Sequence, residues 1–106
     1  MKNKSKASNN EKLFFSKTLQ YLDSYLPRQL GRSAETVRSD RDSLSGFRKY
    51  LYDEKNISIA KFTFQDCTRD LLLEYCAYLK EHGNSAATCN VRLAAIKTYV
   101  QYVSDD

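Results

Sequence analysis

The sequence predicts an all-α fold, a compact bundle of four helices with short loops. Three observations point there. Four stretches place apolar residues at three- and four-residue intervals, the spacing of a helix with one buried face. Residues that stop helices fall between those stretches: the single proline is Pro27, and Gly31 and Gly83 stand at stretch ends. One phrase also occurs twice, as Gly31-Arg32-Ser33-Ala34-Glu35-Thr36 and Gly83-Asn84-Ser85-Ala86-Ala87-Thr88. Gly takes the left-handed position that ends a helix, where a Cβ would clash. Ser two residues later caps the next helix by accepting from a free backbone N–H.

The first helix is expected from about Asn10 to Leu26, with Leu13, Phe14, Leu19, Leu22, Tyr25 and Leu26 facing the core. Pro27 should end it, because the ring lacks an N–H and disfavours helical geometry at Leu26. The second is expected from Ala34 to about Lys55, on a narrow stripe of Val37, Leu44, Phe47 and Leu51. Gly46 inside it costs up to about 1 kcal/mol relative to Ala, a cost that close approach of another backbone would explain. Asp40 lies beside the stripe and needs a partner, an Arg or a Tyr.

Residues 56–65 alternate weakly, as a strand would, but no second strand is evident to pair with them. An extended connection is expected, with Ile57, Ile59, Phe62 and Phe64 plugging the core. The third helix should open at Thr68 as N-cap, with Asp70 in its first turn and a Cys67–Leu72 staple, and run to Gly83. The fourth is expected from Ala86 to about Val103, its core stripe being Cys89, Leu93, Ile96, Val100 and Val103. Val91, Ala94, Ala95 and Thr98 make a small-residue side, open to close approach by the second helix or by a DNA groove.

At 106 residues and 42% apolar content the chain can bury one core, not two. No run approaches the ~20 apolar residues of a membrane span. The N-terminus has no apolar signal region, and residues 1–10 are expected as a disordered basic tail ahead of one domain at 11–104. Cys67, Cys76 and Cys89 are odd in number and form no C-x-x-C, which suits free thiols in a reducing, cytoplasmic setting. Cys76, His82 and Cys89 match no zinc-ligand spacing, and neither metal nor other cofactor is expected. His82 beside Gly83 suits a helix C-terminus.

Charge is informative by location. Net charge is +4, of which residues 1–12 supply +3 through Lys2, Lys4, Lys6 and Lys12 against Glu11. Residues 84–103 hold Arg92 and Lys97 and no acid, whereas residues 66–81 are acidic through Asp66, Asp70, Glu74 and Glu81. A polyanion would therefore meet the faces near 28–41 and 84–97. Two helix starts with arginines close by offer N–H donors and partial positive charge to phosphate. The expected contact residues are Arg32, Ser33, Thr36, Arg38, Arg41, Asn84, Ser85, Thr88, Asn90, Arg92 and Lys97. A competing role exists for Arg92, pairing with an acid such as Asp40 to hold the second and fourth helices together.

The order of these phrases resembles the N-terminal core-binding domain of tyrosine recombinases, the phage-type integrases, a SAM-like four-helix module. The likeness covers roughly residues 11–103. It rests on Ser33-Ala34-Glu35-Thr36-Val37-Arg38 leading to Phe47-Arg48-Lys49-Tyr50-Leu51, then on Asp66-Cys67-Thr68-Arg69-Asp70 leading to Tyr75-Cys76-Ala77-Tyr78-Leu79. Ser85-Ala86-Ala87-Thr88-Cys89-Asn90-Val91-Arg92-Leu93 follows, ending at Tyr99-Val100-Gln101-Tyr102-Val103. Asp40 departs from the family's usual Tyr. The resemblance implies a module that clamps recombination-site duplex DNA, with the second and fourth helices against the major groove. It also implies other recombinase protomers as partners, and catalysis by a separate domain that is absent here. The alternative is a helical protein–protein interaction module, since SAM-like folds often bind proteins. A helix-turn-helix factor is less well matched, because no helix pair with a tight three- to four-residue turn is evident.

Overall fold

The structure, a computed structural model, describes residues 12–105, the last without its side chain; the expected tail over residues 1–10 lies outside them. Four helical segments make the fold. The first, α1, covers 14–29 and is composite: a 3₁₀ turn at Phe14–Lys17, an α turn at Thr18–Gln20 and a π-helix at Tyr21–Gln29. The expected α-helix ending at Leu26 is thus corrected on two counts, since the helix is irregular and contains Pro27. In an α ladder the proline ring presses on the preceding turn; the wider π turn opens that space. Leu30 N then bonds Tyr25 O at 3.0 Å and Arg32 N bonds Leu26 O at 2.8 Å.

Helix α2 spans Ala34–Lys55 and ends at Asn56, whose φ of 58° places it in the left-handed region that Asn tolerates. The connection that follows bonds back to the start of the chain: Phe14 N donates to Phe62 O at 2.8 Å, and Leu13 and Thr63 form one antiparallel bridge. The weak alternation of 56–65 therefore has a single pairing point rather than none, and no strand forms among the described residues. A 3₁₀ turn at Phe64–Asp66 leads into α3, Arg69–Glu81, whose N-cap Thr68 accepts from Leu71 N at 3.2 Å. Residues 82–85 join α3 to α4, Ala86–Asp105. That link is a four-residue turn containing Gly83, as residues 30–33 are with Gly31, so tight turns join two helix pairs, contrary to the expectation.

The core is aromatic. The Phe14 ring is fully buried and packs within 4.8–5.7 Å of Phe15, Phe47, Phe62, Phe64 and Tyr99. Tyr99 ties α4 to α1: its hydroxyl donates to Phe14 O at 2.6 Å and accepts from Lys17 N at 3.1 Å. Burial pushes that hydroxyl's pKa up to about 12, against the pull of the Lys17 N–H. Four expectations of burial fail or shift. Leu19 is 67% exposed and Ile59 40% exposed. Ala95, assigned to the open small-residue side, is buried, while Leu93 is only half-buried. The irregular turns of α1 and the single-point pairing of 56–65 rotate Leu19 and Ile59 out of the pattern that regular periods forecast.

Candidate nucleic-acid interface

The repeated phrases fold alike. Gly31 and Gly83 both have positive φ, 66° and 88°, with open space where a Cβ would be. Ser33 Oγ accepts from Thr36 N at 3.2 Å and donates to Thr36 Oγ1 at 3.1 Å. Ser85 Oγ accepts from Thr88 N at 3.1 Å and donates to Thr88 Oγ1 at 3.2 Å. The first two N–H groups of each helix fall outside the ladder and the cap, so each start keeps donors for an outside acceptor.

Both first turns border one cleft. Glu35, Arg38, Ser39, Asp42 and Ser43 of α2 face Ala87, Thr88, Val91 and Arg92 of α4 across about 470 Å³. Two arginines and two acids line it, so its charge is balanced. Arg38 also lines a neighbouring cleft of about 540 Å³ with Asp23, Arg32 and Arg41, where three arginines face one acid. Arg38 is thus the shared side chain of a surface running from the end of α1 across α2 to the start of α4. Within it Arg41 pairs with Asp23 at 3.2 Å, an exposed contact of little energetic weight.

Arg92 is half-buried and crosses to α2. Its Nη1 donates to Asp42 O at 3.3 Å. The guanidinium lies over Gly46, where a built Cβ would overlap it, and the Tyr75 hydroxyl closes the other side. Burial raises the Tyr75 pKa, and the charge and hydrogen bonding of Arg92 work against that rise. Two expectations change here. Gly46 accommodates a side chain rather than a neighbouring backbone, and Arg92 holds α2 through Asp42 O rather than through Asp40. Asp40 instead has Arg32 and Tyr21 as its electrostatic neighbours. Burial raises the Asp40 pKa, and Arg32 lowers it.

The remaining candidate residues separate. Asn84 is half-buried and spends its side-chain N–H on Leu79 O at 2.9 Å, closing the end of α3. Asn90 lies two residues from both Thr88 and Arg92, which puts it on the far side of α4 from the cleft. Lys97, seven residues on, shares that side. Burial and the adjacent Cys89 push the Cys76 thiol up, and Lys80 and Lys97 oppose this, which places Lys97 toward α3. The two clefts therefore gather Arg32, Arg38, Arg41, Thr88 and Arg92, with Ser33, Thr36 and Ser85 in the capped helix starts beside them. Asn90 and Lys97 stand apart from them.

A family model, the N-terminal SAM-like domain of phage integrase, matches residues 19–105. The chain belongs to this family. Comparison with curated proteins and with solved structures found no match. The match starts inside α1 and covers α2, α3 and α4 entire, so both capped helix starts fall within the SAM-like domain. As the N-terminal domain of integrases it is not the part that carries the catalytic site. Among the described residues no group of His, Cys, Asp and Glu could hold a metal ion, and no helix is long and apolar enough to cross a membrane. His82 sits at the end of α3 with Nδ1 2.8 Å from Tyr78 O, the helix-terminal place its neighbour Gly83 suggested.

Sequence reasoning on the SAM-like domain missed Tyr75 and Asp42 as partners of Arg92. Tyr75 read as part of the apolar run of the third helix, and Asp42 was not singled out. The available signal was Gly46, a residue unfavourable in mid-helix whose reason lay on another helix.

Proposed function

We propose that this domain binds duplex DNA through the starts of α2 and α4, positioning a recombination site for strand exchange by a separate catalytic domain of a tyrosine recombinase. One observation carries the reading: two identically capped helix starts border one cleft, with Arg38, Arg92, Arg32 and Arg41 around them. Each start presents backbone N–H donors and the positive end of a helix dipole to phosphate. The arginines neutralise backbone charge and release counterions. Thr36 and Thr88 fix register on the duplex, and base contacts fall to side chains that reach into the groove. Asn84 contributes by shaping the α3–α4 turn, and Asn90 and Lys97 serve a flanking stretch of backbone rather than the cleft.

Charge sets the expected strength. Residues 13–106 sum to +1 once the +3 of residues 1–12 is subtracted from +4. Binding should therefore be weak and strongly salt-dependent, each phosphate contact contributing about −0.9 to the slope of log affinity against log salt. Titration of a labelled duplex at low and moderate salt tests this. Binding that ignores salt, or none at low salt, contradicts the reading. The second reading, a protein-interaction module, draws on Leu19, Tyr52 and Ile59, large apolar side chains exposed on the side of the domain that Arg48 shares. A partner bound there would leave the helix starts untouched.

A further inference from the structure

Gly46 is half-buried in the middle of a 22-residue helix, where Ala would serve better by about 1 kcal/mol. Its φ is ordinary, so no turn calls for glycine there. What occupies the missing Cβ's place is the Arg92 guanidinium. The seat has three sides: the bare backbone at Gly46, the Asp42 carbonyl that accepts from Nη1 at 3.3 Å, and the Tyr75 hydroxyl. Guanidinium carries five N–H donors in a fixed plane. The seat engages part of that plane, and Arg92 also lines the cleft between the two helix starts.

We infer that Gly46 is a positioning residue for DNA binding: by lacking a Cβ it seats the Arg92 guanidinium between α2 and Tyr75, so that its remaining donors face backbone phosphate in the cleft. This rests on the DNA-binding reading above and adds the means by which one contact is made rigid. An arginine loses much rotamer freedom when it binds; one already held by Asp42 and Tyr75 loses less on meeting phosphate. Tyr75 comes from α3, so the acidic helix contributes to the interface without touching DNA.

Gly46→Ala tests the inference. The methyl evicts the guanidinium, while helix propensity rises. These effects on folding oppose each other, so Tm should stay within about 4 °C of wild type. Affinity for a labelled duplex at low salt should nevertheless fall about tenfold, and the salt slope should shrink by about 0.9, one phosphate contact. Tyr75→Phe keeps the ring and removes one side of the seat, and should give a smaller loss. Combining Gly46→Ala with Arg92→Ala should cost no more affinity than Arg92→Ala alone, because both remove one interaction. If wild type binds and Gly46→Ala binds equally well, the positioning role is overturned while the DNA reading stands. A large Tm drop that alone accounts for the lost affinity also overturns it, in favour of a purely structural glycine. No binding by wild type at low salt defeats the DNA reading and this inference with it.

Discussion

Ser33 and Ser85 cap their helices at 3.2 and 3.1 Å, yet the turns they open differ in charge and in how their helices are held. The α2 start carries Glu35 in its first turn, with Arg32 just before the cap. The α4 start has no acid in its first turn and a neutral Asn84, already bonded to Leu79 O, before the cap. Capping geometry needs only Gly, Ser and Thr at fixed spacing; electrostatics is written in the positions between. Glu35 partly satisfies the positive end of α2, whereas that of α4 is open to an outside anion. The helices also differ in anchorage. Apolar side chains, Leu44, Phe47 and Leu51, bury α2. On α4 the buried Cys89, Ile96 and Tyr99 are joined by polar ties, from Tyr99 to Phe14 O and from Arg92 to Asp42 O.

The largest effect expected from that difference is at Tyr99. Tyr99→Phe leaves the Phe14 carbonyl and the Lys17 N–H without the hydroxyl between them and should cost about 1–3 kcal/mol in urea unfolding. Tyr21→Phe should cost far less, because the buried Tyr21 hydroxyl has no hydrogen-bond partner among the described residues. Burial of the Tyr99 hydroxyl also makes stability fall in alkali. An unfolded tyrosine ionises near 10.0 and folded Tyr99 at about 12, so the folded state holds its proton more firmly. That contribution is complete below pH 10 and is lost as pH rises from 10 toward 12. Unfolding followed across pH 8–12 should show a decline that Tyr99→Phe reduces.

Next in size are the caps. Ser33→Ala and Ser85→Ala should each cost about 1 kcal/mol by thermal unfolding. Equal losses sharpen the equivalence of the two starts. A clear inequality would show that matching distances conceal unequal dependence on the cap.

Smallest are the charges. Ala87→Glu gives α4 the acid that α2 has, and Glu35→Ala removes it from α2. On stability each should move the balance by about 0.3–1 kcal/mol, Ala87→Glu upward and Glu35→Ala downward. On duplex affinity the signs reverse, because an acid at either start repels phosphate. Parallel Tm and affinity series would reveal this opposition; affinity following stability instead would break the electrostatic contrast.

The caps, the four-helix class and the bounds of α2 and α4 were legible because each rests on local chemistry that a few residues express. The interior of α1 was not. Pro27 ordinarily ends a helix, and only the packing of Tyr21, Leu22 and Leu26 in the core makes a π turn around it worthwhile. Leu19 and Ile59 were misplaced for a related reason, since a period forecast holds only while the geometry stays regular. At the site, residue types were readable and partnerships were not. Arg92 and Gly46 are 46 positions apart, and nothing local says that one sits on the other. Asn90 entered through the phrase that resembles the family and Lys97 on charge, and helical rotation sets both on another side.

Amide chemical-shift mapping of the domain with a short duplex at low salt tests whether the two capped helix starts meet DNA. Shifts should concentrate at Ser33, Thr36 and Arg38 and at Ser85, Thr88 and Arg92, while Asp70, Glu74 and Glu81 of α3 stay in place. Shifts centred on α3, or on Leu19, Tyr52 and Ile59 with the two helix starts silent, would contradict the DNA reading.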